Sequence, residues 1–251
     1  METADLKTLR ETLTSLADDE LILGHRDSEW CGHAPILEED IAFANLALDE
    51  IGHANLWLAL LARLEDADPQ SFADRLSFWR EAADFRCAQM LELPRGDWAF
   101  SILRHYLFDA AEIERLAALS QYSYTPLAEA AAKIQTEELY HLRHTRLWVR
   151  RLGLGTSESH QRLQAALNQL WPYTSQLFEL TNEPGGPVLG VDFRQARLAW
   201  EAQVLPFLAE CELSLPQGQP LALDRQQHSQ HLAVMLAEMQ SVARLDPQAE
   251  W

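Results

Sequence analysis

Two short motifs in the sequence pair a glutamate with a histidine three positions later, inside stretches rich in helix-forming residues. The first motif contains Glu50 and His53, and the second contains Glu138 and His141. A spacing of three residues places both side chains on one face of a helix. Two such pairs, with one carboxylate from each of two further helices, form the ligand set of carboxylate-bridged di-iron or di-manganese bundles. The motifs therefore predict half of a dinuclear metal site.

The remaining carboxylates are predicted from two other helical stripes. Glu20 interrupts a stripe of leucines in the first predicted helix, and Asp109 interrupts an apolar stripe in the fourth. Nearly the same number of residues separates Glu20 from Glu50 as separates Asp109 from Glu138. A buried carboxylate without a partner is costly, so each should be paired, protonated or bound to a cation. The predicted metal ligands are Glu20, Glu50, His53, Asp109, Glu138 and His141.

Two interpretations of this cluster stay open. The six residues could hold two metal ions, or they could form buried acid–histidine hydrogen bonds without metal. Carboxylates with imidazoles suit iron or manganese, whereas zinc prefers fewer, tetrahedral ligands. No residue is assigned as a catalytic base, and no cofactor-binding motif is recognised.

The neighbouring titratable residues have simpler interpretations. Glu112, Glu114 and Glu137 are predicted to be solvated. His105 could orient Asp109 from one turn away, although a packing or surface histidine is the more frequent case. His144 ranks behind His141 as a ligand because it completes no motif with the inward glutamate.

Composition excludes several classes of protein. The chain has 251 residues, is 47% hydrophobic and carries a formal net charge of -18, which makes a nucleic acid an unfavourable partner. Its three cysteines have no C-x-x-C spacing, which fits a reducing compartment. The sequence contains no secretory-signal pattern and no apolar run long enough to span a membrane, so we expect a cytoplasmic protein.

The residue pattern predicts an all-α fold with a four-helix bundle at its core. We expect one domain over residues 1–251, with the core bundle over about 5–153 and a C-terminal helical extension over about 156–246. The predicted helices are Asp5–Arg26, Ile36–Leu64, Ser71–Leu91, Trp98–Gln121, Leu127–Leu152, Ser157–Leu180, Phe193–Ala209 and Asp224–Arg244, with loops at Asn182–Pro187 and Pro216–Pro220. The extension has no clustered ligand spacing, and its His228 and His231 are expected to be exposed.

One segment resembles a known family. The run Ser28-Glu29-Trp30-Cys31-Gly32-His33-Ala34-Pro35, with the stretches around Glu20 and Glu50, resembles the PaaC-type subunit of bacterial ring-1,2-phenylacetyl-CoA epoxidase, also called phenylacetate-CoA oxygenase. The resemblance extends over the whole chain and implies a ferritin-like fold. It also implies a complex that epoxidises the aromatic ring of phenylacetyl-CoA with dioxygen. NADPH, FAD and an iron–sulfur cluster would belong to a partner reductase.

The resemblance implies particular partners and roles. PaaC-type chains are regarded as structural partners, with an incomplete metal site, of a catalytic PaaA-type subunit, beside other oxygenase subunits. This chain departs from that expectation because the metal-ligand pattern of the sister subunit is filled. In that pattern Glu50 and Glu138 would bridge two iron ions, and Glu20 and Asp109 would be terminal ligands. A homodimer or hetero-oligomer is expected.

Three hypotheses for function follow. The first is a PaaC-type subunit that binds and stabilises the catalytic chain in phenylacetate degradation, and the resemblance places it ahead. The second is a subunit with its own di-iron centre that activates dioxygen. The third is a ferritin-like protein that stores or detoxifies iron, which the C-terminal extension disfavours.

Overall fold

The computed structural model describes residues 3–181, 191–218 and 220–247. The secondary-structure elements of more than one residue in these ranges are helices. The α-helices are α1 (Thr3–Ser28), α2 (Leu37–Leu64), α3 (Pro69–Phe78), α4 (Gln89–Glu92), α5 (Trp98–Leu119), α6 (Thr125–Gly153), α7 (Ser157–Leu170), α8 (Phe193–Glu210), α9 (Gln230–Met239) and α10 (Ser241–Leu245). Two 3-10 segments cover Ala82–Asp84 and Trp171–Phe178. The predicted all-α class is confirmed.

Four long helices form the core as two hairpins. Helix α1 packs along α2, and α5 packs along α6, while α2 and α6 join the two hairpins. The leucine stripe of α1 is the reason for its position, since Leu9, Leu13 and Leu16 are fully buried against the partner helices. This architecture is the ferritin-like four-helix bundle that the sequence predicts.

The C-terminal helices cover the second face of α5. Helices α7 and α8 both pack on α5, so every residue from 101 to 112 is buried. The indole of Trp200 in α8 donates a hydrogen bond to the carbonyl of Leu107 at 3.2 Å. A helix covered on all sides is apolar or internally paired around its whole circumference. The extension is therefore part of the same apolar core as the bundle.

Gly24 allows α1 and α2 to approach closely beside the predicted metal ligands. A Cβ atom at Gly24 would lie 3.0 Å from the carbonyl oxygen of Ala47 and 3.0 Å from the Cβ of Glu50. Because neither the backbone nor a Cβ can rotate away, a side chain at this position would push the helices apart. Because Gly24 has no side chain, the backbone of α1 can lie directly against Glu50.

The third predicted helix, Ser71–Leu91, is wrong beyond Phe78. In its place the chain runs irregularly to Ala88, apart from one 3-10 turn. The cause is a pair of acids on α1. Asp18 accepts a hydrogen bond from the backbone of Arg86 at 2.7 Å, and Asp19 accepts one from the backbone of Ala88 at 2.8 Å. Because these two backbone N–H groups donate to side chains on α1, they cannot donate to the carbonyl groups of a helix.

Two predicted C-terminal helices also need correction. The helix predicted over Ser157–Leu180 is α-helical only to Leu170, because Pro172 cannot donate to the helical ladder. The last predicted helix begins at Gln230 instead of Asp224, with Ser229 as its N-cap, and is interrupted at Gln240. The loop predicted at Asn182–Pro187 lies outside the described residues.

The expected exposure of two C-terminal histidines is wrong as well. His228 and His231 are both only partly exposed, because the segment before α9 packs back toward α4. His228 in particular reaches the carboxylate of Glu92, at the end of α4.

None of the helices in the described ranges combines the length and apolar composition that a bilayer-spanning segment requires.

Candidate metal centre

The four core helices bring all six predicted ligands into the interior of the bundle. Helix α1 supplies Glu20, α2 supplies Glu50 and His53, α5 supplies Asp109, and α6 supplies Glu138 and His141. Each of the six residues is at most 2% exposed. The helical periodicity of the apolar stripes therefore placed these polar groups correctly.

The six groups converge around Glu50 and Glu138. His53 Nδ1 lies 3.4 Å from Glu138 Oε1 and 3.9 Å from Glu20 Oε2. His141 Nδ1 lies 2.9 Å from Glu138 Oε1 and 3.2 Å from Glu50 Oε1. Ligand atoms of Glu20, Glu50 and His53 lie within 4.8 Å of one another, and so do those of Glu50, Asp109 and Glu138. Glu50 thus belongs to both sets, and Glu138 contacts both imidazoles.

Each imidazole is oriented by an acid from the opposite motif. His53 Nε2 lies 2.9 Å from Glu137 Oε2 on α6, and His141 Nε2 lies 3.3 Å from Asp49 Oδ2 on α2. A carboxylate at Nε2 holds the proton there and leaves Nδ1 as the coordinating atom. Glu137 is part-exposed, as predicted, but it also positions His53. Asp49 was not recognised, although its place directly before Glu50 matches that of Glu137 before Glu138.

The atoms directed at the centre of the cluster fit a cation site. Both carboxylate oxygens of Glu20, Glu50 and Glu138 approach other ligand atoms of the cluster, but none of them forms a hydrogen bond of acceptable geometry within the described part of the chain. The same holds for Nδ1 of His53 and His141. Buried polar atoms without partners are rare because their desolvation is uncompensated. Six oxygens and two ring nitrogens of this kind match the donor set of iron or manganese.

Asp109 differs from the other predicted ligands because its oxygens already have partners. Its Oδ1 makes a short contact with His105 Nδ1, and its Oδ2 accepts a hydrogen bond from the Thr145 hydroxyl at 2.7 Å. His105 Nε2 lies 3.0 Å from Asp27 Oδ2 and 3.7 Å from Glu50 Oε1. His105 is therefore a fully buried bridge from α5 to α1, and not a surface residue. Asp27 could have been found from its position seven residues after Glu20 on the same helical face.

The prediction that Glu112 is solvated is wrong. Its side chain is fully buried, and its nearest ion-pair partner is Arg115, with Nη2 at 3.7 Å from Oε1. Burial raises the pKa of Glu112 well above its usual value, and the negative charge of Glu20 raises it further. The cause is that the side chain faces the bundle interior, where the charges of Glu20 on α1 and Glu138 on α6 act on it. Glu114 is half-buried and accepts a hydrogen bond from Gln203 at 3.0 Å.

His144 lies outside the cluster. Its Nε2 is 3.0 Å from Glu39 Oε2, in the first turn of α2. The lower rank of His144 as a ligand is consistent with this pairing.

The surroundings of the cluster shift the pKa values of several of its groups toward protonation. Burial alone would lower the pKa of His53, but the nearby carboxylate of Glu20, together with the negative charge of Glu138, outweighs burial and raises the pKa to about 9. Burial also opposes protonation of His141, yet Glu138 raises its pKa. For Glu50, burial raises the pKa well above the usual value, and the charges of Glu138 and Glu20 add to the effect. The cluster therefore binds protons where a metal ion would otherwise supply the positive charge.

A bundle with two Glu-x-x-His helices and two further acidic helices around one interior cluster defines a ferritin-like protein of the class that builds dinuclear metal sites. Comparison with known proteins narrows this class. The chain belongs to the family of phenylacetic acid catabolic proteins, PaaA/PaaC, whose model matches residues 1–251.

Two relatives from Escherichia coli strain K12 are similar to this chain. One is the C subunit of 1,2-phenylacetyl-CoA epoxidase, with 38% identity over 244 residues, or 94% of this chain and 96% of the relative. The other is the A subunit of 1,2-phenylacetyl-CoA epoxidase, with 28% identity over 171 residues, or 68% of this chain and 54% of that protein. The family resemblance inferred from the sequence is confirmed.

Proposed function

We propose that this protein is the PaaC-type component of a phenylacetyl-CoA epoxidase and that it binds and stabilises a PaaA-type partner. The observation that carries the proposal is the similarity to the C subunit of the Escherichia coli enzyme over nearly the full length of both chains. The weaker similarity to the A subunit supports a partner built on the same bundle. The reductase with NADPH, FAD and an iron–sulfur cluster would be a further component.

An apolar outer face on α2 and α6 supports the presence of a partner. Ile41 and Leu48 are seven residues apart on α2, and Tyr140 and Leu147 are seven residues apart on α6, so each pair lies on one helical stripe. Leu48 is 67% exposed and Tyr140 is 72% exposed. Clusters of large exposed apolar side chains of this kind mark interaction surfaces. We assign this outer face to the PaaA-type partner.

The outer face is close to the acids that orient the two imidazoles. Asp49 and Glu137 lie on the same two helices, with side chains 53% and 42% exposed. A partner docked on α2 and α6 would shield both acids from water, which strengthens their hydrogen bonds to His141 and His53. Assembly would thereby stabilise the geometry of the metal cluster.

Co-purification tests the partner role. The chain is co-expressed with the PaaA-type protein of its own organism, which carries the affinity tag. We expect the two chains to elute as one stoichiometric complex in gel filtration, and Leu48→Glu to abolish the complex because it buries a charge. Val234→Glu is the matched control, since Val234 on α9 is also 72% exposed but lies outside the outer face. Separate elution of the two wild-type chains contradicts the proposal.

A second function is favoured by the unpartnered ligand atoms of the cluster. We infer that this chain binds its own pair of metal ions through Glu20, Glu50, His53, Asp109, Glu138 and His141. Glu20, Glu50 and Glu138 would bind through carboxylate oxygens that have no hydrogen bond at present, and Asp109 would give up one of its present hydrogen bonds to bind metal. Two iron ions with such ligands supply dioxygen activation. The protein contributes the ligand spacing and an interior from which water is excluded.

Metal content tests this second function independently of turnover. Purified from iron-supplemented medium, the wild-type chain should contain about two iron ions, as dinuclear bundles do. Glu50→Gln and His141→Ala should lose them, because each removes a ligand of the ions. Glu38→Gln and His33→Ala are the controls, since both residues are exposed. A folded wild-type chain without stoichiometric metal would show that the cluster is only hydrogen-bonded and that the chain acts as a scaffold.

A further inference from the structure

Cys87, Glu92 and His228 bring a thiol, a carboxylate and an imidazole together outside the bundle interior. Cys87 precedes α4, Glu92 ends α4, and His228 precedes α9. Cys87 and Glu92 are fully buried, and the side chain of His228 is 9% exposed. Their ligand atoms lie within 4.8 Å of one another. The sequence spacing does not indicate this group, because His228 is distant from the other two residues along the chain.

The hydrogen bonds of His228 identify its coordinating atom. Nε2 lies 2.9 Å from the carbonyl oxygen of Phe85, which can only accept, so Nε2 carries a proton. In the neutral ring, the lone pair of Nδ1 then points at Glu92 Oε1, which is 2.6 Å away. Cys87 Sγ lies 3.7 Å from the same oxygen. A ring nitrogen and a carboxylate at this distance share a proton, which a metal ion can replace once the two atoms move apart.

We propose that Cys87, Glu92 and His228 form a binding site for one zinc ion. Thiolate, imidazole and carboxylate are all zinc ligands, and the ring is oriented by a backbone carbonyl, as is usual for metal-bound histidine. The second oxygen of Glu92 is held by the N–H of Ser229 at 2.6 Å. This contact leaves Oε1 as the coordinating oxygen.

The distances fit a tetrahedral ion after a small movement. With bonds of about 2.3 Å to sulfur and about 2.0 Å to nitrogen or oxygen, the ligand atoms should be roughly 3.3–3.6 Å apart. The sulfur-to-oxygen distance of 3.7 Å is close to this range. The imidazole must withdraw from Glu92 by less than about 1 Å. A water molecule on the exposed side of His228 completes the coordination.

The surrounding groups determine the pKa of the Cys87 thiol. Burial raises the pKa of Cys87 well above its usual value, and the negative charges of Glu92, Asp18 and Asp19 add to the effect, while Arg225 opposes it. Zinc displaces the thiol proton and balances the charge of the resulting thiolate and of Glu92. The bound ion ties the segment before α5 to the segment before α9, so it stabilises the docking of the C-terminal extension.

A metal-free arrangement makes a different prediction. A protonated His228 could donate from Nδ1 to Glu92 and from Nε2 to Phe85, and the Cys87 thiol could donate to Glu92. Every polar atom would then be satisfied without zinc. The zinc-bound and metal-free arrangements therefore differ in one testable respect, which is whether the thiolate of Cys87 binds a metal ion.

Titration of the metal-free full-length chain with Co²⁺ is the test, because a cobalt–thiolate bond gives a charge-transfer band in the near ultraviolet. The bundle cluster contains only oxygen and nitrogen donors, so metal bound there does not produce this band. We expect the amplitude of the band at saturation to correspond to about one cobalt–thiolate bond per chain, as one cysteine ligand requires, whatever Co²⁺ the bundle cluster also binds. Stoichiometric Zn²⁺ should then remove it by displacing the cobalt.

Three variants and two controls make the titration specific. Cys87→Ser and His228→Gln should lose the band, and Glu92→Gln should weaken Co²⁺ binding at least tenfold. Cys211→Ser, at another buried cysteine, and Cys31→Ser, at the exposed one, should keep it. Circular dichroism establishes which variants are folded. A folded wild-type chain without the band, or a band that persists in Cys87→Ser, overturns the proposal.

Discussion

At the scale of single residues, His53, His141 and Glu50 in the bundle cluster have raised pKa values. A metal ion that binds there would have to displace protons from these groups. The pKa of His53 is raised to about 9, so this imidazole is largely protonated at pH 7, and the pKa values of His141 and Glu50 are shifted in the same direction. Coordination requires their deprotonated forms. Metal binding should therefore release protons, and the apparent affinity should rise with pH up to about 9.

Proton release can be measured directly. Fe²⁺ is added anaerobically to the metal-free chain in a weakly buffered solution that contains a pH indicator. Binding should release protons at pH 7, of which about one per chain comes from His53. His53→Gln should release about one proton fewer, since it removes a group that is protonated at this pH. Binding without any change in indicator absorbance would contradict the assigned protonation states.

The residues that were not predicted share one physical cause. The inward position of the six predicted ligands could be recognised because each interrupts an apolar stripe, and a stripe is visible when one face of a helix is buried. Helix α5 is covered on all sides, so the same rule wrongly placed Glu112 in solvent. His105 was underestimated for the same reason, since its partner Asp27 lies on another helix. Periodicity cannot show contacts between helices that are distant in sequence.

At the scale of helices, Gly24 and Gly52 form a matched pair of positions on α1 and α2. A Cβ at Gly24 would meet Ala47 and Glu50 at 3.0 Å, whereas a Cβ at Gly52 would meet nothing within 4 Å. Gly52→Ala should raise the free energy of unfolding by about 0.5–1 kcal/mol, because alanine favours the helix. Gly24→Ala should instead lower it by about 1–3 kcal/mol, because the overpacked helices must separate.

The metal cluster provides a second readout for the glycine pair. Separation of α1 from α2 moves Glu20 away from Glu50, so Gly24→Ala should also reduce the bound metal, whereas Gly52→Ala should not. Urea unfolding followed by circular dichroism and elemental analysis measure the two effects. Equal stability of the two variants would show that α1 and α2 do not need this close approach.

The helices themselves were predictable where local signals decide their ends. The bundle helices follow their apolar stripes, and α5 begins after Asp97, whose carboxylate caps the N–H of Phe100. The helix predicted to reach Leu91 stops at Phe78 because Asp18 and Asp19, far away in sequence, bind the backbone of the following segment. Hydrogen bonds between segments that are distant in sequence form only in the folded chain, so a local pattern cannot reveal them.

At the scale of the whole molecule, the C-terminal extension is attached to the bundle through a buried ionic network. Arg225 donates to Asp19 Oδ1 at 2.6 Å and to the carbonyl oxygens of Glu179 at 2.7 Å and Gln176 at 2.9 Å. Arg115 of α5 donates to the other oxygen of Asp19 at 3.1 Å. Both arginines and Asp19 are fully buried. One carboxylate on α1 therefore connects the bundle, the segment before α4 and the extension.

Removal of Arg225 should destabilise the whole chain. Arg225→Met leaves Asp19 and three carbonyls, those of Glu179, Gln176 and Arg86, with fewer partners. Loss of one member of a buried ionic network costs about 3–5 kcal/mol. Arg197→Met is the matched control, because Arg197 forms a part-exposed i,i+4 pair with Glu201 at 2.9 Å that should contribute less than about 1 kcal/mol. Urea unfolding of the metal-free chain measures both variants. If the extension were only loosely attached, the two variants would unfold at the same urea concentration. We expect instead that Arg225→Met unfolds at a lower urea concentration, and that the bundle and the extension lose their structure together. That result means that α1 and the C-terminal helices unfold as one unit.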